Sequence, residues 1–483
     1  MAKIYACRNS RNHTITYAMK EKLHLSIFLC LLISININCQ LDQLKKPNII
    51  LIVADDLGWN DVSFNGSDIS TPSIDSLASQ GVFLNRFYVS PVCSPTRAGI
   101  LTGIYPDRFN LRGYVYSPRN KGGLPPDLTI LPEMLKEAGY NELAAFGKWH
   151  LGHSNLKYHP ISQGFTSFYG HYNGAIDYYS HLRDGEIDWH KDYSTSYDVG
   201  YSTDLIGSEV VKFISNLNSK KPFFAYVAFN APHSPMQAKL EELEKYNFDP
   251  DNKDEEYLVV EGHKGEVGMD VYGLKGRGNN LRQTYSAMVS SLDLWIGKIL
   301  SSLKTKGIED NTIVWFLSDN GGINKFGGNN SPLRGGKHTQ WEGGVRAISI
   351  VKWPGRIRFG SQSNQLTSYI DIFPTFQNIV GITSSDEIDG INIIDAFHNK
   401  SLPKRHIYLG KDAIVSKKWK MNKGELFEIE SDISEKNDLS SKKPEIVKKL
   451  TDLINLYKKM LPGDKPPTQP VGWRPPKNWK MPK

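Results

Sequence analysis

Three long apolar runs constrain the fold of this chain more than any other feature. They cover residues 47–54 (PNIILIVA), 222–229 (PFFAYVAF) and 312–317 (TIVWFL). Because these runs are continuously apolar rather than alternating, they are typical of strands buried on both faces of a parallel sheet. A helical pattern precedes the third run, from about Arg282 to Lys304, with apolar residues along one face. The sequence therefore predicts an α/β domain with a parallel central sheet.

Polar residues follow these runs at the points where the predicted strands end. Ligands bind at the carboxyl edge of an open α/β sheet, so these residues are candidates for a site. The oxygen-bearing residues at these positions are Asp55, Asp56, Asp319 and Asn320. A lone Asp after a strand is commonly a loop cap, but an adjacent pair favours metal binding. Oxygen ligands without thiolate or imidazole favour Ca²⁺ or Mg²⁺ over Zn²⁺.

Two further strand ends carry basic residues. A short predicted strand at 142–146 is followed by GKWHLG, in which Lys148 and His150 can point at one anion. Taken alone, such a pair is usually solvated. His233 follows the second apolar run in the string NAPH. A lone His is more often structural, but the position at the same sheet edge favours a functional role.

Cys93 stands out because three of the four cysteines fall in the first forty residues. In the string CSPTRAGILTG, Ser94 can cap a helix, Pro95 suits its first turn and Gly103 suits its end. Cys93 would then lie at the positive end of that helix, where an anion is favoured. The alternative is a small buried thiol with a packing role.

CSPTR followed by LTG, and the string GKWHLG, resemble the signatures of the type I sulfatases. In that family a separate maturation enzyme oxidises the cysteine to Cα-formylglycine, which the resemblance implies for Cys93. The resemblance also implies an alkaline-phosphatase-like α/β sandwich, with a mixed, mostly parallel central sheet between helices and a small C-terminal α+β subdomain. Residues 327–337, with DYYSH at 177–181, look most like the N-acetylgalactosamine-4-sulfatase (arylsulfatase B) branch.

The roles that the resemblance implies fall on the strand-end residues. Hydrated formylglycine at position 93 would be the nucleophile. One Ca²⁺ would be held by Asp55, Asp56, Cys93, Asp319 and Asn320. The sulfate oxygens would be neutralised by Arg97, Lys148 and Lys337. His233, with Lys337, is the candidate acid for the leaving oxygen. His150 would orient the nucleophile or deprotonate it, and Asp319 would take its first proton.

The first forty residues predict export. An apolar stretch at 23–37 follows Lys20 and Lys22, a pattern typical of a secretory signal and too short for a membrane span. We expect a periplasmic or secreted protein, with a lipid anchor at Cys39 as an alternative to cleavage. Formal charge is +7, and removal of the leader leaves 53 basic against 50 acidic residues. This balance, without a basic stripe, argues against nucleic-acid binding.

The predicted layout is a leader at 1–40, a catalytic domain at 41–400, a small subdomain at 401–461 and a proline-rich tail at 462–483. Short strands are expected near 405–409, 413–421 and 426–430. Aromatic and polar residues crowd positions 165–201 and suit either a carbohydrate face or a packed loop. We expect an exported hydrolase of sulfate esters on oligosaccharides from algal polymers such as ulvan or carrageenan, or from glycosaminoglycans. The alternatives are a phosphoesterase of the same superfamily and a non-catalytic polysaccharide-binding relative.

Overall fold

The computed structural model describes residues 46–111, 114–218, 221–252, 275–383, 387–462 and 467–483. The predicted leader, with Cys7, Cys30 and Cys39, lies outside the described residues. Cys93 is the free cysteine within them, and it is buried. Over the ranges just given, no helix has both the length and the apolarity that a membrane span requires.

A ten-stranded sheet occupies the centre of the fold. Its strands are β1 (Asn48–Ala54), β2 (Val82–Leu84), β4 (Glu142–Lys148), β5 (Ser167–His171), β8 (His190–Lys191), β9 (Ser194–Thr195), β10 (Phe223–Ala228), β11 (Thr312–Ser318), β12 (Ser349–Lys352) and β13 (Ser361–Ser363). They lie in the order β13-β2-β12-β11-β1-β10-β4-β5-β8-β9. The five strands from β11 to β5 are mutually parallel, whereas β12 and β8 pair antiparallel with their neighbours. The predicted mixed, mostly parallel sheet is confirmed.

Helices cover both faces of this sheet. The α-helices are α1 (Pro72–Gln80), α2 (Cys93–Thr102), α3 (Leu131–Glu137), α4 (Ser202–Asn216), α5 (Leu240–Leu243), α6 (Leu281–Thr305), α7 (Glu342–Val345), α8 (Ile372–Val380), α9 (Ile394–Phe397) and α10 (Pro444–Lys458). Alternate residues of β1 enter two different cores: Ile49 and Leu51 pack with α2, α3 and α8, while Ile50 packs with α1, α4 and α6. A strand with an apolar layer on each side must be apolar at every position, which explains its unbroken run.

A small antiparallel sheet follows the main one in the chain. It contains β15 (His406–Tyr408), β16 (Ala413–Ser416), β17 (Trp419–Asn422) and β18 (Glu425–Glu428), in that order. The single strand predicted at 413–421 is wrong, because a turn divides it. Ser416 Oγ accepts the N–H of Trp419 at 3.0 Å and donates to its carbonyl at 2.9 Å, which closes this turn. The remaining short strands are β3 (Phe87–Tyr88), β6 (Leu182–Arg183), β7 (Glu186–Ile187) and β14 (Thr367–Ser368).

A buried ion-pair network joins the small sheet to the main domain. Lys420 of β17 is fully buried, and its Nζ lies 2.9 Å from carboxylate oxygens of both Glu342 and Glu435. Glu435 also accepts the backbone N–H of Glu342 at 2.7 Å. Glu342 begins α7, directly after the glycine-rich segment that carries Lys337. The network therefore ties that segment to the small sheet.

The C-terminal tail packs against loops of the main domain. Trp479 has no exposed surface and donates from Nε1 to the carbonyl of Arg183 at 2.8 Å. Its ring meets His153 edge-on, with centroids 5.3 Å apart. The N–H of Leu156 donates to the carbonyl of Pro482 at 2.6 Å. The tail is thus held by one buried ring and several backbone contacts, and the boundaries at 400 and 461 stay predictions.

Candidate active site

Strand order brings the predicted site residues to one edge of the sheet. β1 lies between β10 and β11, and β4 lies beyond β10. The backbone continues this pairing past the strand ends, since the N–H of Asp319 donates to the carbonyl of Ala54 at 3.0 Å. Likewise the N–H of Asp55 donates to the carbonyl of Ala231 at 3.2 Å. Segments far apart in the chain therefore end side by side.

Helix α2 places Cys93 at this edge as its first residue. Its N-cap is Val92, so the predicted capping role of Ser94 is wrong. The Ser94 hydroxyl instead donates to the carbonyl of His150 at 2.9 Å and accepts the N–H of Tyr116 at 3.2 Å. This serine therefore links the helix start to the loop that carries His150. Gly103 ends the helix as predicted, at φ 71°.

Four side chains converge in front of the sheet edge. One ligand atom from each of Asp55, Asp56, Cys93 and His233 lies within 4.8 Å of the others. The first three are buried, and the His233 side chain is 16% exposed. Asp319 and Asn320 adjoin this cluster: Asp319 Oδ1 accepts the N–H of Asp56 at 3.3 Å, and Asn320 Nδ2 donates to Asp56 Oδ1 at 2.7 Å. His233 therefore shares one cluster with the acidic pair.

Each carboxylate is paired with a cation. Lys148 Nζ lies 2.5 Å from Asp55 Oδ2, and Lys337 Nζ lies 2.6 Å from Asp56 Oδ1. Arg97 is fully buried and contacts Asp319 Oδ2 through Nε at 2.9 Å and Nη2 at 2.8 Å. Its other terminal nitrogen donates to the Lys148 carbonyl at 3.0 Å. In this structure Arg97 thus braces Asp319 and the β4 end, while the two lysines face the cluster.

The three acids differ in proton affinity. Burial by itself would raise the pKa of both Asp55 and Asp56. The positive charge of Lys148 at Asp55, and that of Lys337 at Asp56, outweighs burial, so both pKa values lie below the ordinary value of an aspartate. For Asp319, burial and then the negative charge of Asp55 raise the pKa to about 6, against the opposing charge of Arg97. Asp319 is therefore the carboxylate best suited to exchange a proton near neutral pH.

Both histidines are neutral at pH 7. Burial, followed by the positive charge of Lys337, lowers the pKa of His233 to about 4. Burial and Lys148 also place the pKa of His150 well below its usual value. His233 Nδ1 lies 2.6 Å from the Ser234 carbonyl, so Nδ1 carries the proton and Nε2 faces the site with a lone pair.

Three buried oxygens at the site lack a hydrogen-bond donor. They are Asp55 Oδ1, Asp56 Oδ2 and Asn320 Oδ1. A buried oxygen without a partner carries a desolvation cost that a bound cation removes. Carboxylate and amide oxygens suit a hard divalent ion such as Ca²⁺. The residues present therefore fit the predicted ion.

Tyr285 is a supporting residue that the sequence reading placed only in the core. Its hydroxyl donates to the carbonyl of Asp56 at 3.0 Å and accepts the N–H of Gly58 at 3.1 Å. Asp56 adopts φ 67°, an uncommon conformation for a residue other than glycine, and Tyr285 helps to hold it. The sequence did contain a signal for this role, since Tyr285 lies on the core-facing side of the predicted helix. A buried tyrosine hydroxyl needs a hydrogen-bond partner, which a nearby polar site supplies.

Most aromatic rings of the 165–201 stretch lie inside the protein. Tyr172, Tyr178 and Trp189 are at most 3% exposed. His190 stacks on Tyr172 with centroids 3.9 Å apart, and His181 stacks on Trp189. The stretch therefore packs as a loop against the domain, which favours a packed loop over a carbohydrate-binding face.

Comparisons with known proteins agree with this geometry. Residues 47–382 match the family model described as Sulfatase. Arylsulfatase J of Mus musculus is 34% identical over 359 residues, covering 72% of this chain and 55% of the relative, so the chain spans little more than half of that protein. N-acetylgalactosamine-6-sulfatase of Mus musculus is 33% identical over 392 residues, covering 75% of this chain and 68% of the relative.

Solved structures show the same fold. A crystal structure of Ps i-CgsB in complex with k-i-k-neocarrahexaose has a TM-score of 0.76 and 31% identity, and the match covers 88% of this chain and 95% of that one. The sulfatase yidJ of Bacteroides fragilis has a TM-score of 0.67 at 20% identity, covering 86% of this chain and 96% of that one. The predicted alkaline-phosphatase-like architecture is confirmed.

Proposed function

The chain belongs to the sulfatase family, and on that premise we propose that it hydrolyses sulfate esters carried by carbohydrate. The observation that carries the proposal is the cluster of Asp55, Asp56, Cys93 and His233, bordered by two lysines. The membership makes the chain a sulfuric ester hydrolase by family. The nucleophile, the ion, the substrate and the export of the chain are parts of the proposal.

Charge balance supports an anionic substrate. Asp55, Asp56 and Asp319 contribute three negative charges, which Lys148, Lys337 and Arg97 neutralise. Ca²⁺, held by Asp55, Asp56, Asp319 and Asn320 beside residue 93, would add two positive charges, which attract sulfate and favour ionised oxygen nucleophiles. The two lysines would then be free to move from the carboxylates to the sulfate oxygens.

The Cys93 thiol is itself a poor nucleophile here. Burial, against the opposing charges of Lys148 and Lys337, raises the pKa of this thiol to about 11, so it is protonated at neutral pH. Conversion to formylglycine replaces the Cβ–S bond with Cβ=O, a two-electron oxidation that needs an electron acceptor and a separate maturation enzyme. Hydration of the aldehyde then supplies two hydroxyls on one carbon.

The described residues can serve both halves of the reaction. One hydroxyl attacks sulfur while Asp319, which Arg97 holds in place, accepts the proton. The sugar oxygen leaves with a proton from Lys337, whose Nζ lies 2.6 Å from Asp56 Oδ1. His233 is neutral and its Nε2 lies 3.7 Å from Asp56, so it would serve as the acid only after it has taken up a proton. Removal of a proton from the second hydroxyl, with His150 as acceptor, breaks the C–O bond to sulfate and restores the aldehyde. A serine ester cannot collapse in this way.

The names of relatives support a carbohydrate substrate. One has N-acetylgalactosamine 6-sulfate as its named target, and one solved neighbour contains a neocarrahexaose. We infer an oligosaccharide released from a sulfated polysaccharide, either an algal polymer such as carrageenan or ulvan or a glycosaminoglycan. The leader at 1–40 would direct the chain to the periplasm or outside the cell, where calcium is plentiful.

Two measurements test the proposal. The mass of the peptide that contains Cys93, from protein made in a sulfatase-maturing host, should show the aldehyde rather than the thiol. Sulfate release from carrageenan and chondroitin sulfate oligosaccharides should then vanish in Cys93→Ala, with an unchanged melting temperature. Phosphate ester turnover above sulfate ester turnover, or full activity of Cys93→Ala, would overturn it.

A further inference from the structure

A long groove crosses the helical layer at a distance from the candidate active site. It is lined by residues of α4 and α6, by the start of α1 and by Lys245 and Tyr246. Its volume is 1210 Å³. Sites for drug-sized ligands usually measure about 300–1,000 Å³, so this groove has room for several sugar rings.

Four lysines border the groove: Lys212, Lys245, Lys298 and Lys306. The side chains of Lys212 and Lys245 are 61% and 56% exposed, and each forms an ion pair on its own helical segment, Lys212 with Glu209 at 3.5 Å and Lys245 with Glu242 at 2.6 Å. Lys306 Nζ donates to the carbonyl of Ser215 at 2.6 Å, and Lys298 Nζ lies 4.0 Å from the centre of the Trp295 ring. The positive groups therefore stand on both long walls.

The two acids that line the groove are directed elsewhere. Asp293 is 3% exposed, and its carboxylate accepts the N–H groups of Ser73 at 3.1 Å and Ile74 at 2.8 Å, at the start of α1. Asp68 is paired with Arg282. Because Lys212 and Lys245 are paired with glutamates, the positive charge that faces an occupant comes mainly from Lys298 and Lys306.

The floor of the groove suits a polyhydroxylated ligand. Small residues of α6, including Ser290, Gly297 and Ser301, line it beside the larger Leu294 and Trp295. Gly297 keeps the helix close to α1, because a Cβ there would lie 2.5 Å from Ser73 Oγ. Tyr246 and Ser290 exchange a hydroxyl hydrogen bond at 2.6 Å, which leaves a polar edge on a flat ring. Aromatic rings can pack on sugar faces, hydroxyls can hydrogen-bond sugar hydroxyls, and lysines can pair with sulfate groups, so this combination suits a sulfated sugar.

We propose that this groove is a second binding site for the sulfated polysaccharide, separate from the site of hydrolysis. The α6 helix relates the two places. Tyr285 supports Asp56, and Lys298 lies thirteen residues further along the same helix, or about 20 Å at 1.5 Å per residue. The groove would therefore bind sugar units of the polymer that are distant from the unit whose sulfate is being removed. The choice of a sulfated polysaccharide as the ligand of the groove rests on the proposed function. Binding of that ligand to the groove can be measured without enzymatic turnover.

The binding test uses the Cys93→Ala protein and two probes, a carrageenan hexasaccharide and its chemically desulfated counterpart, measured by calorimetry. The triple variant Lys212→Ala/Lys298→Ala/Lys306→Ala should bind the sulfated probe at the groove about ten-fold more weakly at low salt. The control Lys136→Ala/Lys400→Ala/Lys436→Ala removes three exposed lysines elsewhere and should leave affinity unchanged. Equal affinity of the two triple variants, or equal binding of the desulfated probe, would overturn the proposal.

A second variant tests shape without altering charge. Ser301→Trp fills the groove at an exposed position of α6 and should weaken binding of the sulfated probe as the triple lysine variant does. In the active protein, both should raise KM for polymeric carrageenan while kcat and turnover of a small aryl sulfate stay constant. Loss of small-substrate turnover would contradict a separate site. If the matured protein with Cys93 intact bound the probe at the groove but released no sulfate, only the proposed function would be overturned.

Discussion

Replacement of Lys420 by Met is a sharp test of how the small sheet is attached. The variant keeps a side chain of similar length but leaves Glu342 and Glu435 without their shared cation, each having been 2.9 Å from it. Both glutamates are buried, so water cannot replace the lost partner fully. Removal of one partner from a buried ion pair costs about 3–5 kcal/mol of unfolding free energy.

The chain supplies a matched control in the neighbouring residue. Lys418 pairs with Glu428 at 2.9 Å, but the two side chains are 54% and 38% exposed. Lys418→Met should therefore cost at most about 1 kcal/mol. The comparison holds the substitution and the strand region constant, and it changes the burial of the lysine and the number of carboxylates that share it.

Urea unfolding at pH 7.5 and pH 5 provides the assay. Burial raises the pKa of Glu435 even with Lys420 present, so in the variant this carboxyl should take up a proton as the pH falls. The stability deficit of Lys420→Met should therefore shrink at pH 5, and the added substitution Glu435→Gln should restore part of it at pH 7.5. A deficit equal to that of Lys418→Met at both pH values would refute the reasoning.

Three further predictions concern the tail, the pH range and the metal. Trp479→Ala should lower the unfolding free energy by about 3–5 kcal/mol, because it empties a fully buried position, and calorimetry would show a lower melting temperature. His159 is neutral when folded: burial lowers its pKa to about 4, and its Nδ1 accepts the N–H of Ile161 at 3.1 Å. Since the unfolded state binds this proton from about pH 6.5 downward, His159 should account for a loss of about 3 kcal/mol of unfolding free energy between pH 6.5 and 4, and His159→Gln should lack this part of the loss. EGTA treatment should abolish sulfate release and lower the melting temperature, with Ca²⁺ restoring both, whereas an unchanged melting temperature would argue against a cation at the orphaned oxygens.

The strands of the main sheet were predictable because burial on two faces demands an unbroken apolar run. The run at 47–54 became β1 (Asn48–Ala54), and that at 312–317 became β11 (Thr312–Ser318). Their polar ends then had to share one edge, which placed Asp55 near Asp319 across 264 positions of sequence. The two-residue edge strands were not predictable, since so few residues carry no periodicity.

Details of the site depended on three-dimensional contacts that no local pattern encodes. Serine is a residue type typical of helix N-caps, yet the hydroxyl of Ser94 donates to the carbonyl of His150. The sequence predicted a role at the sulfate for Arg97 but not its ion pair with Asp319, which lies 222 positions away in the chain. A stretch rich in aromatic residues, such as 165–201, can either bind sugar at the surface or pack in the core. Its composition is the same in both cases, so only the path of the loop shows which of them applies.

The burial of Trp479 means that a residue far along the chain completes the packing of an earlier loop. Its partner Arg183 lies 296 positions earlier, so this contact forms only after the ribosome has made the segment that joins the two. A chain threaded through an export channel from its amino end would likewise dock this ring only after that segment has emerged. Affinity tags for purification are therefore better placed away from Trp479.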